Sequence, residues 1–354
     1  MKSGLWKGLF YLVLLPAAMA VSGWQGWTWW SWATSPIHSA LANERPSADK
    51  TMQIQIPQGT PAQQIGQDLE SAGLIRSSTA WNLWTRWRAF QDPKGGFQAG
   101  VYALSPTQTL TDIANQIWLG EVVQLSFTIP EGWSRQQMAE ALEAKGFFPA
   151  SAFMDASSKI PVNQYPWLPQ NIPHLEGFLY PDTYQLPAEQ ITPEAVVFQM
   201  LNRFEQKAFS LYQQQPTVSL LEWVTLASIV EKEAVVPEER GIIAGVFANR
   251  LENSIPLGAD PTVEYGLGIE QTPEQPLTFD QVNTPSPYNT YINPGLPPTP
   301  IASPGQASLE AALKPEKTDY LYFVARYDGT HVFSRTLAEH EAAQADIRDR
   351  IDSP

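Results

Sequence analysis

Residues 54–75 read IQIPQGTPAQQIGQDLESAGLI, and residues 127–148 read FTIPEGWSRQQMAEALEAKGFF. The two stretches match at an offset of 73 residues: Pro57-x-Gly59 against Pro130-x-Gly132, Leu69-Glu70 against Leu142-Glu143, Gly73 against Gly146. Each opens with a short apolar/polar alternation, the period of a strand. A Pro-x-Gly turn follows, then a segment of helical spacing. Ile65 and Leu69 share one face of the first helix, and Met138 and Leu142 share one face of the second. A glycine just past the last periodic residue closes each helix. Between the copies, Ala99–Leu104 reads as a strand and Thr109–Leu119 as another helix. The N-terminal region is therefore expected to be α+β, built from small strand–turn–helix units.

A second domain is expected to start near residue 150. Leu175-Glu-Gly-Phe-Leu-Tyr-Pro-Asp-Thr-Tyr184 reads as a loop or edge strand rich in polar groups. Helical patterns follow at 193–214 and 219–235, and Pro237 opens a further helix running through Ile242, Val246, Phe247 and Leu251. Residues 253–305 are dense in Pro and Gly, with strand-like pieces at most. A stretch that long without clear periodicity suggests ordered loops lining something, because it carries Tyr265, Tyr288 and Tyr291 among its turn formers. Ala307–Leu313 reads as a short helix. Tyr320–Ala325 and His331–Ser334 alternate around Asp328-Gly329, a hairpin signal. The last twenty or so residues form a polar helix.

The other end of the chain has Lys2 and Lys7, an apolar run from Leu9 to Val21, then Trp24, Trp27, Trp29, Trp30 and Trp32. Leu9–Trp30 as a helix would rise about 33 Å, close to the thickness of a bilayer core. Lysines before and tryptophans after fit one span with its N-terminus in the cytoplasm. A cleaved signal peptide is the competing reading, with Ala18-Met19-Ala20 as the small-residue site. Either way the bulk of the chain is exported. Residues 34–50 are polar and unpatterned and read as a linker.

The chain has 354 residues and a net charge of −14, which argues against general binding of nucleic acid or anionic lipid, because the long-range field repels phosphate. It has no cysteine, which excludes disulfides, Cys-based zinc sites and a Cys nucleophile. Its 13 Trp and 31 Pro suit a surface that stacks on sugar faces, and equally suit cores and membrane anchors. Gly-x-Ser-x-Gly and His-Glu-x-x-His are absent, and the histidines at 38, 174, 331 and 340 are scattered. Gly266-Leu-Gly268 lacks the third glycine and the strand-to-helix context of a dinucleotide loop. Carboxylate chemistry, with no metal and no cofactor, is what remains.

Within Leu220–Val235, Leu226, Ile229 and Val230 make an apolar helical stripe, and Glu233 falls on it, seven residues after Leu226. Thr225, Ser228 and Lys232 point the other way, and Glu231 sits to one side. A carboxyl in apolar surroundings keeps its proton near neutrality and can serve as a general acid. The alternative is a buried ion pair between Glu233 and Arg240 or Arg250. A glycosidase of the usual kind needs a second carboxylate, for which Glu231, Asp260 and Glu264 are nearby in sequence.

The repeated strand–turn–helix units resemble LysM-type glycan-binding modules. Leu226-Ala-Ser-Ile-Val-Glu-Lys-Glu233, Glu239-Arg240, Val246-Phe-Ala-Asn-Arg-Leu251, Asp260-Pro-Thr-Val-Glu-Tyr-Gly266, Tyr288-Asn-Thr-Tyr291, Gly295-Leu-Pro-Pro298, Ser303-Pro-Gly305 and Tyr320-Leu-Tyr-Phe-Val324, in that order, resemble the MltG/YceG-like family of endolytic murein transglycosylases. Ile129-Pro-Glu-Gly132 and the 175–184 stretch match as well. Leu257-Gly-Ala before Asp260 and the segment 266–280 depart from the family's pattern.

The resemblance implies a membrane tip and anchor at 1–33, a linker at 34–50, a LysM-like region at 51–150, a catalytic domain with a loop-lined cleft at 151–345, and a tail at 346–354. It maps the catalytic glutamate onto Glu233. It implies a lyase that cuts the bond between N-acetylmuramic acid and N-acetylglucosamine in nascent peptidoglycan strands, limits their length and leaves 1,6-anhydro ends, so that one glutamate serves as acid and then base. Candidate substrate contacts are Asp260, Thr262, Tyr288, Asn289 and Tyr291, with Glu176 and Asp182. Implied partners are peptidoglycan strands and the polymerases that build them, at the bacterial inner membrane with the C-terminal domain in the periplasm. A membrane-tethered glycan-binding scaffold and a hydrolytic glycosidase are the competing functions.

Overall fold

The computed structural model describes residues 13–38, 51–272, 275–326 and 328–352. Its fold is α+β: helices dominate, and the strands form two-stranded sheets. Packing divides the chain into two compact units, 1–125 with 185–190, and 126–184 with 191–354. The division falls at Leu125, inside the stretch expected to be one repeat region, so the two copies of the repeat are shared between the units.

The first unit comprises α1 (Leu15–Thr34), β1 (Met52–Ile56), α2 (Ala62–Ser71), α3 (Ser78–Gln91), β2 (Gly100–Leu104) and α4 (Leu110–Leu119). β1 pairs antiparallel with β2, with Ile54 opposite Tyr102. The expected face of α2 supplies the core: Ile65 and Leu69 are buried with Ile113 and Ile117 of α4 and with Trp81, Trp84 and Tyr102. Helix α3 lay unread in the sequence because its aromatic residues occur on several faces. It is capped by Ser77, whose side chain accepts from the Ala80 N–H.

Helix α1 differs from the expected span. Among the described residues no helix is long and apolar enough to cross a membrane. The reason is composition: Ser22, Gly23, Gln25, Gly26, Thr28 and Ser31 interrupt the tryptophans. Residues 9–12 of the expected span lie outside the described residues. The linker expectation is also corrected over residues 35–38. The Arg76 guanidinium donates to the carbonyls of Pro36 and Ile37, and the His38 N–H donates to Pro106. Residues 39–50 lie outside the described residues.

The second copy of the repeat provides β3 (Gln124–Thr128), which pairs with β4 (Thr183–Pro187), and α5 (Arg135–Ala144). Both copies fold as the sequence suggests. Gly59 and Gly132 turn at φ +82° and +76°, and Gly73 and Gly146 end the helices at φ +70° and +76°.

The rest of the second unit is α6 (Ala150–Ala156), α7 (Pro193–Phe204, continued by a π-helical stretch at Glu205–Phe209), α8 (Leu220–Glu233), α9 (Arg240–Glu252), α10 (Asp260–Leu267), α11 (Phe279–Val282), α12 (Gln306–Leu313), the hairpin β5 (Tyr322–Ala325) and β6 (His331–Ser334), and α13 (Leu337–Asp352). The hairpin forms as expected, with Phe323 opposite Phe333. Helix α8 is the axis of this unit, packed by α9, α10 and α12.

Two expectations fail here. Thr225 and Ser228, read as facing away from the apolar stripe, are buried, because α8 is covered all round. Ser228 is accommodated by donating to the Thr225 carbonyl and accepting from the Ile301 N–H. The 253–305 stretch contains helices α10 and α11 in place of strand-like pieces; Pro261 starts α10 at its first turn and Gly268 ends it.

Candidate active site

Helix α8 is launched by a capping box: Ser219 accepts from the Glu222 N–H and Glu222 returns the bond to Ser219. It ends at Glu233, because Val236 precedes Pro237 and is held extended, and Ala234 has already left helical geometry. Glu233 is thus presented at a helix C-terminus. It is half-buried, with part of the side chain open to the outside. Its carboxyl has no hydrogen bond and no ion pair among the described residues. Burial, then the Asp260 and Glu264 carboxylates, push it up to about 8. The partial negative charge of the helix end acts in the same direction. The alternative of a Glu233–Arg240 or Glu233–Arg250 pair is not realised; Arg250 donates instead to the Pro256 carbonyl and lies over the Tyr322 ring.

Asp260 and Glu264 are one turn apart on α10, so both can face Glu233. Asp260 accepts from the Tyr291 hydroxyl at 2.6 Å, and Glu264 accepts from the Gln271 N–H at 2.8 Å. The Tyr291 ring remains open to solvent. Beside this cluster is a cavity of about 570 Å³, lined in part by Arg135, Glu176, Lys232, Glu264, Tyr265 and Tyr288. Its walls include Lys232 and Glu264, immediate neighbours of Glu233, although Glu233 itself is not one of the lining residues. Its size suits a sugar-sized ligand.

Glu176 lies inside this wall, 2% exposed. It accepts from the Arg135 backbone N–H at 3.0 Å and from the Tyr265 hydroxyl at 3.0 Å. Burial pushes it up to about 7, and the Tyr265 bond, the backbone N–H donors and the Arg135 charge hold it from going higher. His174 is pushed down to about 4 by burial and by Arg135, so it is neutral at pH 7. Among the described residues no cluster of three or more His, Cys, Asp or Glu is placed to hold a metal ion.

The YceG-like family model matches residues 54–346. The chain belongs to the YceG-like family. A Bacillus subtilis (strain 168) protein named endolytic murein transglycosylase is 33% identical over 320 residues, covering 83% of this chain and 84% of that protein. A Streptococcus pneumoniae (R6) protein of the same name is 32% identical over 332 residues; the match covers 83% of this chain and 59% of the pneumococcal one. Among solved structures, a putative yceG-like protein from Listeria monocytogenes aligns at TM-score 0.55 and 32% identity, over 83% of this chain and 99% of that one.

Within this YceG-like chain, the structure groups Glu233, Asp260 and Tyr291 at one end of α10, and Glu176 and Tyr288 around the neighbouring cavity. Two of the others, Thr262 and Asn289, are withdrawn from the surface, and Asp182 is engaged elsewhere. Thr262 is fully buried, hydrogen-bonded to the Ala259 carbonyl and the Thr290 hydroxyl. Asn289 is fully buried, its amide donating to the Val282 and Thr284 carbonyls and its oxygen accepting from the Tyr291 N–H. Both fasten the loop that carries Tyr288 and Tyr291, and neither has polar atoms left for a sugar. Asp182 is paired with Arg203 and accepts from the Thr183 N–H. Arg135 and His174 were not read from the sequence. Arg135 carried a signal, since it stands where the first repeat copy has Ala62.

Proposed function

We propose that this chain is an endolytic lytic transglycosylase of peptidoglycan in which Glu233 acts first as acid and then as base. The carrying observation is the unpartnered, half-buried Glu233 carboxyl, raised to about 8 beside Asp260 and Glu264. A carboxyl in that state is protonated at neutral pH and reachable from outside. Glu233 gives its proton to the glycosidic oxygen between N-acetylmuramic acid and N-acetylglucosamine as the C1–O bond breaks. Its carboxylate then takes the proton of the muramic C6 hydroxyl, whose oxygen bonds to C1. The proton count closes on the enzyme, no water is consumed, and the product ends in a 1,6-anhydro ring. The intramolecular attack gains from proximity. Asp260 and Glu264 supply negative charge next to the electron-poor sugar, and Tyr288 and Tyr291 offer ring faces to it.

The same reading places the N-terminal segment at the bacterial inner membrane with the catalytic unit on the periplasmic side. It assigns a LysM-like role to residues 51–150, and nascent strands with their polymerases as substrate and partners. Family membership and the names of the relatives support peptidoglycan as its substrate.

Mass spectrometry of glycan released from purified wall tests the reaction. Anhydro-ended fragments are expected. Reducing-ended fragments, heavier by one water, would make the enzyme a hydrolase, and no release by folded protein would leave the scaffold reading.

Asp260→Asn tests the electrostatics. It removes a like charge near Glu233, so the pKa of Glu233 falls. The alkaline limb of the pH–rate profile, set by loss of the protonated acid, should move down by roughly one unit. Burial is the larger cause and stays, so a collapse to the ordinary carboxylate range is not expected. An unmoved limb would show that Asp260 does not sense Glu233.

A further inference from the structure

Helix α3 has two apolar faces. Ala80, Trp81 and Trp84 are buried in the first unit, while Leu83, Trp87 and Phe90, spaced i, i+4, i+7, form a stripe in solvent. Phe90 is 86% exposed and Trp87 55%. An uncovered stripe of that kind marks an interaction surface. It is continuous with α1: a groove of about 720 Å³ is walled by Trp30 of α1 and by Trp84, Trp87 and Arg88 of α3. Beyond the groove, α1 exposes Trp24, Trp27, Trp29 and Trp32.

We propose that this aromatic face, from the tryptophans of α1 across the groove to Trp87 and Phe90 of α3, seats the first unit in the headgroup layer of an anionic bilayer. Three observations select that occupant. Indole rings and interspersed small polar residues suit the water–lipid boundary better than the hydrocarbon core, and α1 has that composition. The charge is complementary: Arg86, Arg88 and Lys94 stand against the single acid Asp92 between residues 78 and 94, in a chain of net charge −14. Arg88, at the wall of the groove, holds its guanidinium over the Trp118 ring with Nε unpartnered.

The attachment is also rigid. Ala33 is fully buried in the core of the unit, Trp30 packs against that core, and Arg76 clamps the backbone at residues 36 and 37 while lying over the Trp32 ring. Whatever plane α1 occupies, the α3 stripe is fixed beside it. A glycan is the less suitable occupant, because Leu83 and Phe90 bring no hydrogen-bonding groups to the surface.

The inference rests on the proposed membrane location and is separable from the proposed chemistry. The chain has no cysteine, so Phe90→Cys, Leu83→Cys and, as a control on the polar face of α2, Glu70→Cys each carry a single spin label. The full-length protein is reconstituted in phosphatidylglycerol/phosphatidylcholine vesicles, and collisions of the label with oxygen and with a water-soluble nickel chelate are compared. At residues 83 and 90 oxygen should win by several-fold, with the label at 70 favouring nickel. Labels at 83 and 90 as wet as the control overturn the proposal, as does failure of the protein to associate with vesicles, or protection of those labels by solubilised glycan and not by lipid. Anhydro-fragment release from the same vesicles is recorded in parallel. Its persistence with wet labels would sink the seating and leave the transglycosylase reading standing.

Discussion

Glu233→Gln should abolish release of anhydro-ended glycan and, at the same time, stabilise the protein. The loss of activity should be ~10³-fold or more, because the amide can neither protonate the leaving oxygen nor accept the C6 proton. The gain in stability follows from linkage. The folded pKa, about 8, lies above the ordinary carboxylate value of 4.5. Between those values the native state binds more protons than the unfolded chain, so the wild-type enzyme loses stability as pH rises through that window. Glutamine has no such slope. The two proteins should melt alike near pH 4 and diverge upward, the variant leading by ~2 kcal/mol at pH 8 once solvent at the half-buried side chain is allowed for. Thermal melts across pH 4–8 read the slope, and product mass spectrometry reads the chemistry. A buried ion pair would give the opposite sign, since removing one partner strands the other. An inactive variant that melts lower at pH 8 would therefore favour a structural Glu233.

The position of Glu233 was legible because it depends on local periodicity: a glutamate seven residues after Leu226 returns to the same helical face wherever the helix is packed. The repeat was legible for a similar reason, since Pro57-x-Gly59 and Pro130-x-Gly132 need the same backbone turn in both places. The environment that makes Glu233 useful was not legible. Asp260 and Glu264 are near it only because α10 packs against α8, and α10 is a short helix hidden among prolines and glycines, with too few residues to show a period. Burial on the far side of α8 was hidden too. Thr225 and Ser228 look like an outward polar face, and only the arrival of Ile301 gives Ser228 a partner from outside its own helix. Thr262 and Asn289 misled in the same way: polar residues in a loop suggest ligand contacts, yet here the loop consumes them to hold itself. Arg135 could have been found by asking where the two repeat copies disagree, for an arginine in place of Ala62 is a costly change unless something buried needs it.

That cost sets the second large effect, the loss of Arg135. Its side chain is 4% exposed. Nε donates to Ser157, and Nη2 donates to the Met154 carbonyl and to Ser158. The guanidinium thus satisfies the C-terminal end of α6 with hydrogen bonds and a favourable charge. It is also the cation beside the buried Glu176. Arg135→Ala should cost ~3 kcal/mol in urea unfolding, the range for removing one member of a buried charge network. With the cation gone, Glu176 should rise above about 7 and hold its proton through neutral pH, which weakens its grip on the Tyr265 hydroxyl. Tyr265 shares α10 with Asp260 and Glu264, so fragment release should fall ~10-fold even where the protein remains folded. Arg135→Lys restores the charge but not the fork, and one ammonium cannot serve Ser157 and the α6 carbonyl together, so it should recover less than half of the stability. Arg203→Ala breaks the more exposed pair with Asp182 and should cost under ~1 kcal/mol. If Arg135→Ala proved no more damaging than Arg203→Ala, burial of the guanidinium would not be what holds this wall of the cavity together.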